Sequence, residues 1–219
     1  MINLYFIKLI EANEENEIKE KTMKLLITTL TMIFISFGVI AEGFYVGFST
    51  GQSSFNTGIT NVAGSSLDEE STAHSFFIGK KINKIISLEG FYTDLGKATL
   101  NASSGDTFNS NIGTITFGTD GSLETNSTSF GIAGKYEFIS NEKSNFYLKA
   151  GLHNWETELK AKRGSLTLGS LKYDGTDKIV GLGSEYQISD NLSLIAGYDK
   201  YYLDKTDITY LHIGTKYKF

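Results

Sequence analysis

From Phe44 to Phe219 the chain repeats one pattern eight times. A stretch of about ten residues alternates apolar side chains with Gly or polar ones, then gives way to a connection that is either brief or rich in Ser, Thr, Asn and Gly. A period of two places successive side chains on opposite faces of a strand. The expected strands are Phe44–Gln52, Thr72–Ile82, Ile86–Leu95, Ser127–Phe138, Asn145–Glu156, Lys178–Ile188, Leu192–Tyr202 and Ile208–Phe219. Each is long enough to cross a bilayer at a ~45° tilt, for which ~9–11 residues suffice.

The two faces differ in chemistry. In the first strand Phe44, Val46 and Phe48 oppose Tyr45, Gly47 and Ser49; in the fourth, Phe130, Ile132, Tyr136 and Phe138 oppose Gly131, Ala133, Lys135 and Glu137. Across all strands the second face collects Gly47, Gly79, Gly131, Gly151, Gly181, Gly183, Gly197 and Gly214 together with Glu89, Lys135, Lys149, Glu185, Asp199, His212 and Lys216. That face is too small and too charged to be a core. The apolar face is therefore expected to meet lipid and the polar face to line a lumen. Hydrocarbon tolerates no open strand edge, so the sheet must close. The expected fold is all-β, an eight-stranded antiparallel up-and-down transmembrane β-barrel.

Composition supports closure. The 219 residues include no Pro, which sheets confine to edges and bulges. Short turns at Lys84 and at Asp190-Asn191 must then take their geometry from Asn and Asp. The absence of Cys excludes a disulfide framework, a thiolate nucleophile and a Cys-ligated metal. A net charge of −5 with a single Arg, Arg163, argues against nucleic acid as a partner, which would call for a basic stripe. Zinc-protease, nucleotide-loop and calcium-loop motifs are lacking, and no cofactor or metal is expected. Gly47-Phe48-Ser49-Thr50-Gly51 has the spacing of a nucleophile elbow but lies inside a strand with no helix after it, so it is read as chance.

The amino end reads as targeting sequence. Met23-Lys24, the apolar run Leu25–Ile40, and Val39 and Ala41 at the −3 and −1 positions form a signal-peptide pattern over 23–41, with cleavage between Ala41 and Glu42. The alternative is an anchoring helix, for which the run is short and broken by Thr, Ser and Gly. Residues 1–22 carry five Glu and read as an upstream extension outside the mature protein. The barrel domain is then 42–219. Short connections at Asn83-Lys84, Ser140–Lys143 and Ser189–Asn191 alternate with longer ones at about 53–71, 97–126 and 157–177 and a brief one near Leu203–Thr206. That is the layout of periplasmic turns and external loops. Aromatic residues such as Phe44, Tyr136 and Phe219 fall toward one rim, and Phe76, Tyr92 and Tyr198 toward the other, as two girdles.

Three stretches carry a resemblance: Gly79–Gly96, Gly183–Leu192 and the terminal Gly214-Thr215-Lys216-Tyr217-Lys218-Phe219. In order and spacing they resemble the barrel of the outer-membrane protein A family, over essentially all of 42–219. The resemblance implies a location in the bacterial outer membrane, among its lipid and lipopolysaccharide. It also implies delivery by periplasmic chaperones and insertion by the barrel-assembly machinery, through a terminal signal resting on Tyr217 and Phe219. It further implies carboxylates and bases paired across the lumen. Glu89 and Glu185 stand at the matching acidic positions and Lys149 at a basic one. Ala133 and Ile195 replace two other bases, and Lys135 and Lys216 are the alternative partners. The soluble peptidoglycan-binding domain of larger members is not expected, since the sequence stops at Phe219.

An eight-stranded barrel is just wide enough for side chains to fill, so the expected protein is monomeric, with a charge-paired lumen and a structural, adhesin-like role toward a host or surface ligand. The alternatives are a small low-conductance porin-like channel and a lipid A-modifying enzyme. The enzyme reading would need a Ser and His near the external rim. Of the three His, His74 faces lipid by parity, whereas His153 and His212 face inward. The alternations Thr114–Phe117 and Ser165–Leu168 predict strands that project beyond the membrane as hairpins, with edges available for strand addition.

Overall fold

The computed structural model describes residues 43–110, 113–204 and 206–219. The expected signal segment, its Ala41–Glu42 junction and the 1–22 extension lie outside these residues. The described chain is built of twelve strands: β1 (Phe44–Asn56), β2 (Thr60–Ala63), β3 (Ser66–Asp68), β4 (Glu70–Lys81), β5 (Ile86–Ala102), β6 (Thr107–Ser110), β7 (Gly113–Thr116), β8 (Gly121–Ser140), β9 (Ser144–Arg163), β10 (Leu166–Gln187), β11 (Leu192–Leu203) and β12 (Thr206–Lys218). Eight of them form a closed antiparallel ring in the order β1, β4, β5, β8, β9, β10, β11, β12. The first and last strands seal it, in register from Tyr45↔Lys218 to Asn56↔Asp207. β3 extends the ring by pairing with the outer end of β5, and β2, β6 and β7 form a separate small sheet.

Side-chain direction follows the two-residue period. Ile132 is 61% exposed while its neighbour Ala133 is 1% exposed. Phe76, Ile78, Leu152, Leu182 and Ile213 likewise stand outward as an apolar band. The turns at one end are tight. The Asn83 side-chain oxygen accepts the backbone N–H groups of Ile85 and Ile86, both at 2.9 Å, an Asx-type turn that does without Pro. Between β10 and β11 the Ser189 hydroxyl accepts the Leu192 N–H at 3.2 Å, and the Asn191 amide donates to the Lys218 carbonyl at 2.8 Å.

The opposite end departs from the sequence reading. Most of 97–126 and 157–177 is strand: β5 continues to Ala102, β8 starts at Gly121, and β9 and β10 meet in a turn at Gly164 and Ser165. In this region the inward face is apolar. Phe55, Ala98, Leu100, Leu203 and Ile208 are buried inside the ring, whereas the sequence reading gave the polar face to the lumen throughout. The reason is the solvent outside. Beyond the membrane the outer face meets water, so apolar residues gain by turning inward, as in any soluble barrel. The switch is visible along β1, where Phe48 points out and Phe55 points in. On β5 a bulge between Asp94 and Gly96, with Gly96 at φ +76°, re-aims the strand before Ala98 and Leu100.

Candidate functional site

The half of the lumen nearer the tight turns is filled by ion pairs. Lys135 Nζ lies 3.1 Å from Glu89 Oε1, with both side chains nearly inaccessible. The same carboxylate accepts the Tyr45 hydroxyl at 2.9 Å. Lys216 pairs with Glu185. Lys149 pairs with Asp199 at 2.8 Å, and His212 Nε2 approaches the same Asp199 oxygen at 3.6 Å. Nearer the turns, Lys81 closes on Glu137 at 3.1 Å. Aromatic faces complete the packing: Lys135 sits 3.9 Å from the Tyr147 ring centroid, and Lys216 sits 4.7 Å from that of Tyr45.

The strand register explains why the lumen needs so many carboxylates. Lys135 and Lys149 are direct cross-strand partners on β8 and β9, and like charges so placed repel. Each turns away to a different acid: Lys135 to Glu89, diagonally placed on the neighbouring β5, and Lys149 over Gly181 of β10 to Asp199 on β11. Glycines make room for these side chains. A Cβ at Gly181 would collide with the Asp199 carboxylate, one at Gly79 would fall within the Tyr45 ring, and one at Gly197 would stand 2.8 Å from the His212 ring. The inward Gly positions are thus the imprint of large side chains on neighbouring strands.

All five charged residues singled out from sequence, Glu89, Lys135, Lys149, Glu185 and Lys216, lie in this network. The structure pairs the first with the second and the fourth with the fifth. It gives Lys149 to Asp199 rather than to either Glu. Asp199 and His212 were visible as inward-facing but had no assigned part; their neighbours Gly181 and Gly197 were the available signal. Tyr217 and Phe219 stand outward at the turn end, their rings packed edge to face at 5.4 Å. The Phe219 N–H donates to the Phe44 carbonyl at 3.0 Å.

Above the ion pairs lies a layer of hydroxyls and imidazole. Tyr201 meets Thr93 at 3.0 Å, Thr93 meets Ser75 at 2.8 Å, and Tyr210 meets Ser49 at 3.2 Å. His153 has both ring nitrogens engaged, Nδ1 with the Ser129 hydroxyl at 2.8 Å and Nε2 with the Tyr202 carbonyl at 3.1 Å. His74, by contrast, is outside the ring, stacked on Phe48 at 6.0 Å. Above this layer the interior becomes apolar, and the outer rim carries the β9–β10 hairpin. On the side away from β9, β10 has a strand neighbour among the described residues only from Ile179 to Gln187, so among them Leu166–Lys178 presents an unpaired edge.

A closed ring with an outward apolar band and a charged, packed interior is an integral outer-membrane β-barrel. More narrowly, the sequence model of the OmpA-like transmembrane domain matches residues 40–219, and the chain belongs to that family. Comparison with curated proteins gives no match. Among solved structures the chain is similar to Neisserial surface protein A (NspA), with 18% identity, a TM-score of 0.52, and coverage of 81% of this chain and 98% of that one. It is also similar to Ail, the attachment invasion locus protein of Yersinia pestis, solved in complex with the heparin analogue sucrose octasulfate. That match has 15% identity, a TM-score of 0.51, and coverage of 81% and 99%. At these identities the likeness speaks for the fold, and the family places the protein in the bacterial outer membrane.

Proposed function

We propose that the protein is a monomeric, non-catalytic surface-recognition barrel with a closed lumen, exported through a signal cleaved after Ala41 and assembled through its Tyr217–Phe219 end. The observation that carries the recognition role is the unpaired edge of β10. Leu166, Leu168, Leu171 and Tyr173 are all more than half exposed along it. An exposed, partly apolar edge of this length is a template for another strand, and proteins without a use for one blunt it. The partner is therefore an extended segment of a protein on a host or neighbouring surface.

The closed-lumen part rests on the stacked pairs Lys81–Glu137, Glu185–Lys216, Glu89–Lys135 and Lys149–Asp199, which leave little width in a ring of eight strands. The non-catalytic part rests on the histidines: His153 has both ring nitrogens hydrogen-bonded, His212 is buried in the lumen with Nε2 toward Asp199, and His74 stacks outside the ring on Phe48. A polyanion such as the heparin analogue seen on Ail is less well suited here, because Lys160, Lys162 and Lys172 on the hairpin are matched by Glu158, Glu124 and Glu156.

The test combines attachment and conductance. Cells producing the protein should adhere to a protein-coated surface that cells without it do not bind, and Leu171→Pro, which removes a backbone donor and distorts the edge, should abolish adherence while leaving the barrel folded. Planar-bilayer recording of the refolded barrel should show no stable unitary conductance. Steady conductance altered by Glu185→Ala would instead establish a pore.

A further inference from the structure

The apolar upper interior holds a partly open cavity of about 320 Å³. Its walls include Phe55, Leu100, Leu123, Leu159 and Ile208 from the ring, and Phe108 from β6. Among the described residues no charged side chain lines it. The hydroxyls in its wall are largely spoken for. Ser127 and Thr157 bond each other at 2.8 Å, Thr57 donates to Glu69 at 2.6 Å, and Thr206 donates to the Asn56 carbonyl. Water holds such a space only where two to four polar partners await it, and an apolar cavity of ~150 Å³ stays dry and takes up benzene. A volume of 320 Å³ therefore accommodates about twelve carbon atoms by the same measure.

We propose that this cavity is a binding site for a single uncharged alkyl chain of that length. It lies inside the barrel, away from the free edge of β10, and does not depend on the recognition role. The chain could arrive as a free hydrocarbon-like molecule or as the tail of an outer-leaflet lipid; the chemistry is shared. The walls are mostly apolar, most of the hydroxyls satisfied, and the ion pairs of the lumen lie below an intervening layer of Tyr, Ser, Thr and His. An acid or amine head group would find no counter-charge among the described lining residues, so a charged end must stay at the mouth.

The single Trp of the sequence gives a direct readout. Trp155 packs in the same buried cluster as Phe55, Ala98, Leu203 and Ile208, so a brominated ligand in the cavity quenches its fluorescence. The protein refolded in nanodiscs of unbrominated lipid should show saturable quenching by 1-bromododecane. Ala98→Phe, which fills the cavity with a phenyl ring, should weaken that quenching on the order of tenfold. Discs made with a tail-brominated phospholipid and no free probe separate the sources. Quenching there that Ala98→Phe removes assigns the site to a lipid tail, and its absence assigns it to a free molecule. Leu159→Ala, which enlarges the space, should shift preference about tenfold toward 1-bromotetradecane. Quenching that rises without saturation, that is equal in wild type and Ala98→Phe, or whose chain-length preference ignores Leu159→Ala would overturn the proposal. A mobility shift between unheated and boiled samples verifies that each variant is folded.

Discussion

The same strands run through two solvents, and their interiors are opposites. In the lower half, facing lipid, the ring is filled by Glu89–Lys135, Glu185–Lys216 and Lys149–Asp199. In the upper half, beyond the apolar band, it is lined by Phe55, Leu100, Leu203 and Ile208. Backbone ladders are continuous through both, so the difference lies in what each face exchanges for water. In lipid the outer face gains nothing from burial inside the protein, and the ring holds because unpaired backbone groups in hydrocarbon cost several kcal/mol each. Polar side chains can then occupy the lumen provided each has a partner. In water the ordinary hydrophobic drive returns and the apolar residues turn inward.

The most severe way to break the lower half is to orphan one of its charges. Asp199→Ala leaves Lys149 buried without its acid, and the expected loss is about 3–5 kcal/mol. Lys149→Met combined with Asp199→Leu removes both charges and should recover most of that loss. Urea unfolding of the refolded barrel, followed by Trp155 fluorescence, gives both values. Equal destabilisation by the single and double variants would mean that the orphaned charge of Lys149 is not what sets the cost.

Outward substitutions sharpen the boundary between the halves. Ile132→Lys puts a charge on the lipid-facing side, at an expected ~2–4 kcal/mol near the bilayer midplane and less toward the rims. Ser54→Lys, on the exposed face of the upper extension of β1, should cost under ~0.5 kcal/mol. Comparable costs at the two sites would place the membrane boundary above Ser54. The apolar half is probed from inside by Leu100→Ala, a buried truncation beside a cavity already present. The expected loss is about 2 kcal/mol, and it should lower amide-exchange protection in the upper strands while leaving the lower ring unchanged.

Strand existence was legible because alternation over the lipid-facing half is strong: Phe48, Phe76, Ile132 and Leu152 each announce a face. The upper ends of the strands, apart from the alternations at Thr114–Phe117 and Ser165–Leu168, were read as loop because the apolar residues change parity there. On β9 Leu148 and Leu152 point out but Leu159 points in; on β11 Leu194 and Tyr198 point out but Tyr201 and Leu203 point in. A reader expecting one face sees a polar loop where a second kind of strand begins. The charged lumen residues were legible by the same parity, but their pairing was not. Lys149 reaches Asp199 over Gly181 of the intervening β10, the register partner of both, and that meeting is set by the stagger of three strands, which no single strand's sequence records. The switch on β5 was hidden further by its Gly96 bulge, which adds one residue to the count.

The smallest expected effect concerns charges in the upper half, where water takes back most of what an ion pair provides. Glu124 on β8 accepts from Lys162 of β9 at 2.6 Å, with Lys97 at 3.9 Å. That hydrogen bond, helped by the neighbouring cations, holds the Glu124 carboxyl below the usual 4.5. A carboxyl more acidic in the folded protein than in the unfolded chain stabilises the fold at pH above its unfolded value. The contribution disappears as pH falls through the lower, folded value. For a pair this close to solvent the expected gain is about 0.3–0.5 kcal/mol, felt only where β8 and β9 project beyond the ring. Amide exchange of the β8–β9 extension should therefore quicken slightly on acidification below the ordinary carboxylate range, and Glu124→Gln should be slightly less protected at neutral pH and flat across that window. The ion pairs of the lower half answer differently to salt: raising ionic strength should erase the Glu124 contribution and leave the cost of Asp199→Ala intact, because screening reaches exposed charges far more than buried ones.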